Sequence, residues 1–493
     1  MRASWRWPLA ALVAVWPTLV RADDPEPRDR PNWPRVMQEY VIINGALGIP
    51  WYWGNQDYSQ RTWEWKWDQE SWKAKLITLD AVRFDGDDFR TNAVHHTFVS
   101  GMSYFLVGRA NRLTIPESFL ASVLASTTWE YLVEFREGPS VNDMITTPLS
   151  GIALGETVFQ LGELFLRGGD HPVNWALATG FGGLQTFHRR LDRTTQPRSA
   201  TTDSLGFARD RWHRFELHAA IQLADQPTRS ETRMQLGLDT EIVTIHSFDK
   251  PARVSRWVGG ENFTRLTARL SYHEQGIQEI LLRARATIGG YYDQDLRGAV
   301  GALAGHAFYA GFVSSFDYAV SDLDTLTERL GVSALGVTFD AFLERAPLRL
   351  RATLDVMGDF AMVTPVAGAA YRAWLGPHAR TRLSFQTNDY YYAIGASVLP
   401  SVTVELSPFF LAAAARLDTF SSIEGMERRQ WEVTDDSHFA DRRLSYRVTV
   451  GVAPVRLLRM WAGFERKVRA GSAGPFSADL RERLVTVGAS FVL

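Results

Sequence analysis

The sequence contains no cysteine. This absence excludes a disulfide framework, thiolate zinc sites, a cysteine nucleophile and a lipidated N-terminal cysteine. An excess of charge of either sign is also missing, because 53 Lys and Arg residues oppose 55 Asp and Glu residues. The resulting net charge of −2 gives no indication of a nucleic-acid partner, and none is expected.

Long hydrophobic runs are absent after residue 22. No later stretch reaches the roughly 18 to 20 uninterrupted apolar residues that a bilayer-spanning helix needs. Residues 1–22 have the pattern of a secretory signal peptide, with Arg2 and Arg6 before an apolar body and Val20-Arg21-Ala22 as a small-residue cleavage site. An exported chain without such a helix is periplasmic, secreted or an outer-membrane barrel.

The rest of the chain divides into three parts. Residues 23–40 are charged and rich in proline and are interpreted as a linker. Residues 41–205 contain an aromatic segment and a helical module, and residues 206–493 form a β-region. The tryptophans at alternate positions from Trp63 to Trp67 share one face if that segment is extended. They fit an anchor at a membrane interface or packing against the helices.

The helical module is predicted to contain three short helices between residues 92 and 156. Thr114-Ile-Pro-Glu117 fits a capping box, in which the threonine and glutamate side chains meet free backbone amides of the first turn. Residues 140–143 repeat this start signal, and Thr147-Pro148 is predicted to open the third helix with proline in its first turn.

Small residues in these helices predict tight packing. Ser118, Ser122 and Ser126 recur every four residues and therefore share one side of a helix. Gly151 and Gly155 have the same spacing in the next helix. Such small side chains allow a second helix to approach closely.

Isolated ionisable groups lie on these otherwise apolar helices. A histidine with a carboxylate partner is the usual arrangement for general acid–base chemistry, so the candidate catalytic residues are His96, Glu130 and Asp143. A buried charge is costly unless it is paired, and Glu130 is expected to pair with His96 or Arg109. The alternative is a structural cluster that fixes helix register. The candidate ligand or structural cluster is Asn92, His96, Arg109, Glu130, Asp143 and Glu156.

Standard catalytic and metal-binding motifs are missing. The sequence has no Gly-x-Ser-x-Gly elbow, no His-Glu-x-x-His, no Walker loop and no Rossmann glycines. The spacing of His95, His96, His171 and His188 matches no metal site, and adjacent histidines point in different directions on a helix. No metal ion and no cofactor are expected.

From about Trp212 to the end, apolar and polar residues alternate in segments of about ten residues with turn signals between them. This alternation is typical of transmembrane β-barrels, and it predicts about 12 strands, within a range of 10 to 14. The chain ends with apolar residues at every second position, including Phe491 and Leu493, which resembles the assembly signal of outer-membrane barrels. A soluble β-sandwich is the alternative.

Arginines dominate the polar face of the predicted strands. They are Arg265, Arg269, Arg283, Arg285, Arg349, Arg351, Arg447 and Arg459. Their expected partners are Glu216, Asp239, Asp355 and Glu465. This face fits an anion-attracting pore or a salt-bridged interior that closes a small barrel, and the second interpretation is favoured.

An ordered set of residues carries a family resemblance. The set is Asn92, His96, Gly101, Tyr104, Arg109, Ser118, Trp129-Glu130-Tyr131, Pro139-Ser140, Asp143, Thr147-Pro148, Gly151 and Gly155-Glu156. It resembles the bacterial envelope family known as domain of unknown function number 3943, over about residues 40–200. In that family proline commonly follows the histidine, whereas Thr97 follows His96 here. The resemblance implies a Gram-negative envelope protein and implies no activity.

The sequence thus predicts an outer-membrane protein, with a three-helix module before an antiparallel barrel. Its predicted role is non-enzymatic envelope transport or organisation, with the helices as a plug or docking surface. The alternative is a membrane hydrolase or acyltransferase acting on lipid or lipopolysaccharide. It would use His96 with Glu130 or Asp143, and Ser100, Ser126 or a water as nucleophile. Expected partners are outer-membrane lipid, lipopolysaccharide and the barrel-assembly machinery.

Overall fold

The computed structural model describes residues 30–54, 65–195, 197–299, 302–323, 325–375, 389–423, 438–455 and 457–493. The predicted signal peptide and Trp63 lie outside these ranges. Within them a helical region precedes a large antiparallel sheet. Trp33–Tyr40 is helical, so helix already begins inside the stretch interpreted as a linker.

Twelve antiparallel strands close into a barrel, and a thirteenth described strand lies beside them. The strands are β1 (Trp212–Asp225), β2 (Ser230–Val243), β3 (Ala252–Val258), β4 (Phe263–His273), β5 (Gly276–Ala299), β6 (Ala302–Leu323), β7 (Thr325–Arg345), β8 (Leu348–Val363), β9 (Tyr391–Leu406), β10 (Phe409–Ser422), β11 (Phe439–Val455), β12 (Leu458–Ala473) and β13 (Phe476–Val492). Pairing of β1 with β13 and of β5 with β6 closes the ring, whereas β3 pairs only with the end of β5 beyond β4. The predicted strand number is confirmed.

The two faces of the barrel wall differ in chemistry, because successive strand residues point to opposite sides. One face carries ion pairs between strands that are not neighbours, such as Arg285 on β5 with Asp355 on β8 and Lys467 on β12 with Glu279 on β5. Such contacts cross the lumen and identify the lumenal face. The outer face is apolar and exposed, as at Ile221 on β1.

Seven helices are described, not the three that the sequence predicted. They are α1 (Trp33–Tyr40, continued as Val41–Gly48 and Ile49–Gly54), α2 (Gln69–Leu76), α3 (Thr91–Gly101 and Met102–Ala110), α4 (Ile115–Thr128 and Trp129–Val133), α5 (Val141–Leu166), α6 (Pro172–Leu191) and α7 (Gly368–Leu375). The predicted number of helices was too low, because burial of one face stabilises helices whose local sequence signals are weak. Examples are the aromatic α1 and the glycine-containing α6.

The capping signals position two of these helices. Thr114 and Glu117 form the predicted capping box at the start of α4. The Ser140 side chain accepts a hydrogen bond from the Asp143 amide at the start of α5. The prediction that Pro148 opens a separate helix was wrong, since Pro148 lies inside α5. The helix starts at the Ser140 cap instead and continues through wider π-helical turns at Gly151–Gly155.

Helix α5 is 26 residues long and, by length and composition, long and apolar enough to cross a membrane. This segment has no uninterrupted apolar run, because polar residues such as Thr147 and Gln160 interrupt it. These polar side chains are buried inside the protein. Helix geometry gives α5 a length of about 39 Å, which exceeds the hydrocarbon core of a bilayer.

The helices α3 to α6, here called the helical layer, lie on the outer face of the barrel. The Phe98 ring of α3 packs 5.4 Å from Phe316 of β6, and Phe89 lies 6.3 Å from Tyr318. Phe316 and Tyr318 flank Asp317, which faces the lumen, so both rings point outward. The described helices of this layer therefore do not plug the barrel.

Helix α5 extends along the wall from one end of the barrel to the other. Near its start, Ile145 and Leu149 pack on a cluster that contains Met362 at the end of β8. Near its end, Leu164 packs on a cluster that contains Phe215 at the start of β1. The apolar outer wall is thus the surface on which the helical layer folds.

Side chains narrow the lumen at both ends. Where β1 begins, Phe248 from the β2–β3 loop packs inside the wall with Trp212, Phe263 and Phe342. At the opposite end another apolar cluster includes Tyr371 of α7, Tyr391 and Phe439. Between these ends the lumenal face is ionic.

Candidate functional site

A buried carboxylate, Asp85, lies at the centre of a polar cluster between the helical layer and the barrel. It accepts hydrogen bonds from the Ser140 hydroxyl at 2.8 Å and from the Asn142 side-chain amide at 3.1 Å. The Tyr392 hydroxyl donates to it at 3.2 Å. The Asp85 amide in turn donates to the Asn142 side-chain oxygen at 2.9 Å. These contacts hold the loop before α3 against the start of α5.

Asn92 joins this cluster to the barrel wall. Its side-chain amide donates to the hydroxyls of Tyr390 and Tyr392, at 3.0 and 2.9 Å. The Tyr390 hydroxyl donates to the Asp87 carbonyl oxygen at 2.6 Å. The first turn of α3 is therefore tied to the start of β9. The residues Asp85, Asn92, His96, Glu130, Ser140, Asn142, Asp143, Tyr390 and Tyr392 are called the Asp85 cluster below.

Four of the six residues singled out from the sequence meet in the Asp85 cluster. His96 Nε2 lies 3.6 Å from a carboxylate oxygen of Asp143. Asn142, which binds Asp85, also donates to Asp143 at 3.0 Å. Glu130 forms an ion pair with neither His96 nor Arg109 in the described structure. Its carboxyl oxygen instead accepts a hydrogen bond from the Ser140 backbone amide at 2.8 Å. That expected pairing was wrong, since the folded position of Glu130 faces the cap of α5.

The remaining two residues form a separate ion pair. Arg109 Nε donates to Glu156 at 2.7 Å. Glu156 also accepts hydrogen bonds from Gln160 at 2.7 Å and from Asn262, just before β4, at 2.7 Å. This group links α3 and α5 to the barrel at the end where β1 begins. It lies apart from the Asp85 cluster.

Burial controls the protonation of the helical groups in the Asp85 cluster. Burial lowers the pKa of His96 to about 4, although the charge of Asp85 acts in the opposite direction. Burial, reinforced by the charge of Glu134, raises the pKa of Glu130. At neutral pH the imidazole is therefore uncharged, and burial disfavours the charged form of the Glu130 carboxyl.

The arrangement of the Asp85 cluster favours a structural role. Its side chains are mostly buried and hydrogen-bonded to one another. Ser126, one candidate nucleophile, donates its hydroxyl to the Asp143 carbonyl oxygen at 3.2 Å. Within the described ranges, no three His, Asp or Glu side chains are grouped so as to hold a metal ion. The catalytic alternative is not favoured by this geometry.

Sequence reasoning missed the central residue and its barrel partners. Asp85 is one of several aspartates in an acidic loop, and Tyr390 and Tyr392 lie just over 300 residues further along the chain. The run Tyr390-Tyr391-Tyr392 was the available signal, because aromatic hydroxyls on alternate positions share one face of a strand.

The cluster and the helices that carry it coincide with a recognised segment. Residues 81–181 match the family model of a domain of unknown function, DUF3943. The match confirms the resemblance stated from the motif residues. The DUF3943 segment contains the helical residues of the Asp85 cluster, whereas Tyr390 and Tyr392 belong to the barrel. A comparison with curated protein sequences finds no match.

The solved structures similar to this chain include a porin, a transporter and an autotransporter translocator domain. The KdgM porin is 6% identical over 56% of this chain and 98% of that chain, with a TM-score of 0.22. The Pseudomonas putida toluene transporter TodX is 10% identical over 57% of this chain and 88% of that chain, with a TM-score of 0.22. The translocator domain of autotransporter NalP from Neisseria meningitidis is 10% identical over 57% of this chain and 88% of that chain, with a TM-score of 0.23.

The protonation of His96 is directly testable. In an NMR pH titration of the detergent-solubilised protein, we expect the His96 imidazole to stay neutral down to a pKa of about 4. Asp85→Asn should lower this pKa further, because the carboxylate charge stabilises the imidazolium. Glu130→Gln should leave it nearly unchanged. A His96 pKa that moves back toward 6.5 in Glu130→Gln would show that these two side chains interact.

The low pKa of His96 also makes the free energy of unfolding depend on pH. An unfolded histidine takes up a proton near pH 6.5, whereas folded His96 resists protonation until about pH 4. The unfolded state therefore binds more protons between these values, and acidification through this range should decrease the free energy of unfolding. His96→Gln should weaken this part of the pH dependence.

Proposed function

We propose that this chain is an outer-membrane scaffold, in which a closed barrel holds the helical layer against membrane lipid and so serves envelope organisation. The observation that carries the proposal is the position of α5 along the apolar outer wall, from one end of the barrel to the other. A membrane barrel normally presents this wall to lipid. Here part of the wall instead carries helices.

The ionic lumen supports a structural barrel rather than an open pore. Asp317 binds Arg283 at 2.6 Å and also pairs with Arg329 and Arg416. Arg351 pairs with Glu241 at 2.6 Å, across the lumen from β8 to β2. Such networks fill the interior of small barrels with side chains. Of the four partners predicted for the arginines, Asp355 and Glu465 indeed form ion pairs with arginines named there.

The exposed side of the helical layer supports contact with lipid. Leu120, Leu124 and Leu132 project from α4 and are each at least half exposed. Exposed apolar patches of this kind mark membrane or protein contact surfaces. Helix α4 packs on α5, and α5 packs on the barrel wall, so this surface continues the apolar outer wall of the barrel. We therefore assign acyl chains, including those of lipopolysaccharide, as its contact.

Strand β13 supports assembly into the outer membrane. In β13 Val487 and Phe491 point outward and are exposed, and Leu493 packs with the cluster where β1 begins. This strand pairs with β1 and β12 and completes the ring. A ring-completing strand with such an apolar outer face fits recognition by the barrel-assembly machinery, which we propose as a partner.

A single introduced cysteine tests the lipid contact, because the chain has none of its own. Leu124→Cys carries an environment-sensitive fluorophore on α4, and brominated phospholipid serves as the quencher in vesicles that contain the full chain. We expect strong quenching, similar to that of Val337→Cys on the exposed outer face of β7. Arg481→Cys, at an exposed and charged position of β13, is the polar control.

Two results would contradict the proposal. If Leu124→Cys responds to brominated lipid no more than Arg481→Cys, the helical layer faces water or protein. If the wild-type chain gives a steady ohmic current in planar bilayers, the lumen is a pore and the scaffold interpretation fails. We expect strong quenching and no steady current.

A further inference from the structure

The lumen contains a cavity of about 380 Å³ between its two narrowed ends. Ten of its lining side chains are Arg or Lys, and seven are Asp or Glu. Three acids that neutralise some of these cations, Glu241, Asp340 and Asp441, do not line the cavity. The cavity surface is therefore more basic than the balanced composition of the whole chain indicates.

Arg269 of β4 lines this cavity without a carboxylate partner. No ion pair of Arg269 occurs among the described residues, and its Nε has no hydrogen-bond partner there. Its electrostatic neighbours are Arg447 and Arg283, which also line the cavity, and the carboxylates Asp239 and Glu465, neither of which forms an ion pair with it in the described structure. Those two arginines bind Asp317 at 2.6 Å and Glu465 at 2.8 Å. Arg269 is thus the arginine whose charge is least compensated in this group.

Two further arginines that line the cavity have N–H donors without an acceptor among the described residues. Arg285 is 9% exposed, and its Nε and one terminal nitrogen have no partner within the described structure. Arg329 is 3% exposed, and its Nε is likewise without one. Buried guanidinium donors normally find an acceptor, because an unmade hydrogen bond to a charged group is costly.

We propose that the lumen binds a small oxyanion of the phosphate class at Arg269, with Arg283 and Arg447 beside it. Guanidinium groups bind such anions through paired, charge-assisted hydrogen bonds. The anion would compensate the charge of Arg269 and accept hydrogen bonds that the wall leaves unmade. This inference goes beyond the scaffold role, which needs no ligand.

Thermal unfolding of the full chain in detergent tests the site, with inorganic phosphate as the probe. Sodium chloride at equal ionic strength provides the reference. At saturating phosphate we expect the wild-type unfolding temperature to rise by about 5 °C. Arg269→Gln should lose this rise. Arg297→Gln is the matched control, because Arg297 is highly exposed and pairs with Asp295 at 2.9 Å; it should keep the rise.

Direct binding keeps the test independent of stability. Equilibrium dialysis with radioactive phosphate should show at least a tenfold weaker affinity for Arg269→Gln, and an intermediate loss for Arg269→Lys, which retains the charge but not the paired donors. Equal binding by wild type and both variants would overturn the proposal, as would no binding by the wild type. If Arg269→Gln does not fold, Arg269→Lys decides the question. None of these outcomes alters lipid quenching at Leu124→Cys.

Discussion

Replacing Asp317 by asparagine should lower the free energy of unfolding by about 3–5 kcal/mol, the usual cost of breaking a buried ion pair. Asp317 is 5% exposed and binds Arg283, Arg329 and Arg416. Asparagine keeps the shape of the side chain but removes the negative charge that these guanidinium groups share. The buried cations then repel one another in the lumen.

Denaturant unfolding monitored by tryptophan fluorescence measures this effect. Asp479→Asn is the matched control, because Asp479 pairs with Arg481 at 2.9 Å and both side chains are more than half exposed. The control should change stability by less than about 1 kcal/mol, as is usual for surface pairs. If Asp317→Asn were as mild as Asp479→Asn, the lumenal network would not hold the barrel together.

Gly151→Ala should destabilise the contact between α3 and α5 by about 1–3 kcal/mol, the usual cost of overpacking. A Cβ atom at Gly151 would lie 2.6 Å from the Gly101 carbonyl oxygen and 3.1 Å from the Phe105 Cβ. Gly101 faces the same crossing, where its own Cβ would lie 2.2 Å from the Thr147 carbonyl oxygen. The two helices must therefore move apart.

Hydrogen exchange resolved by mass spectrometry locates this effect. Peptides from α3 and α5 should lose protection in Gly151→Ala, while peptides from strands on the opposite side, such as β11 and β12, should not. Gly180→Ala in α6 is the control, because nothing lies within 4 Å of its added Cβ. Alanine also favours helix over glycine, so this control should be neutral or slightly stabilising. Unchanged protection in Gly151→Ala would mean that the crossing tolerates separation.

The barrel could be predicted from the sequence because its signal is local and repeated. Each strand alternates apolar and polar residues, so the period of two is visible without knowledge of partners. The pattern predicted strands from about Trp212 onward, their two faces, and a total of about 12. The caps at Thr114 and Ser140 were visible for the same reason, since a cap and its amide lie three residues apart.

The candidate site could be predicted only in part. His96 and Asp143 stood out because ionisable groups on apolar helices need partners. Their common neighbour Asp85 did not stand out, because its partners Asn142 and Tyr392 lie far away in the sequence. The pairing of Arg109 with Glu156 was likewise invisible, since it joins different helices.

The sequence alone determined an alternating β-region, a preceding helical module with the DUF3943 pattern, and a basic polar strand face. The tertiary structure decided on which side of the barrel the helices lie and which charges meet. The physical reason is that an apolar helix face can be buried against any apolar wall, so the sequence of the helices does not show on which side of the barrel they pack. Only the closed ring shows that the available wall is the outer one, because ion pairs such as Arg285 with Asp355 already occupy the lumen.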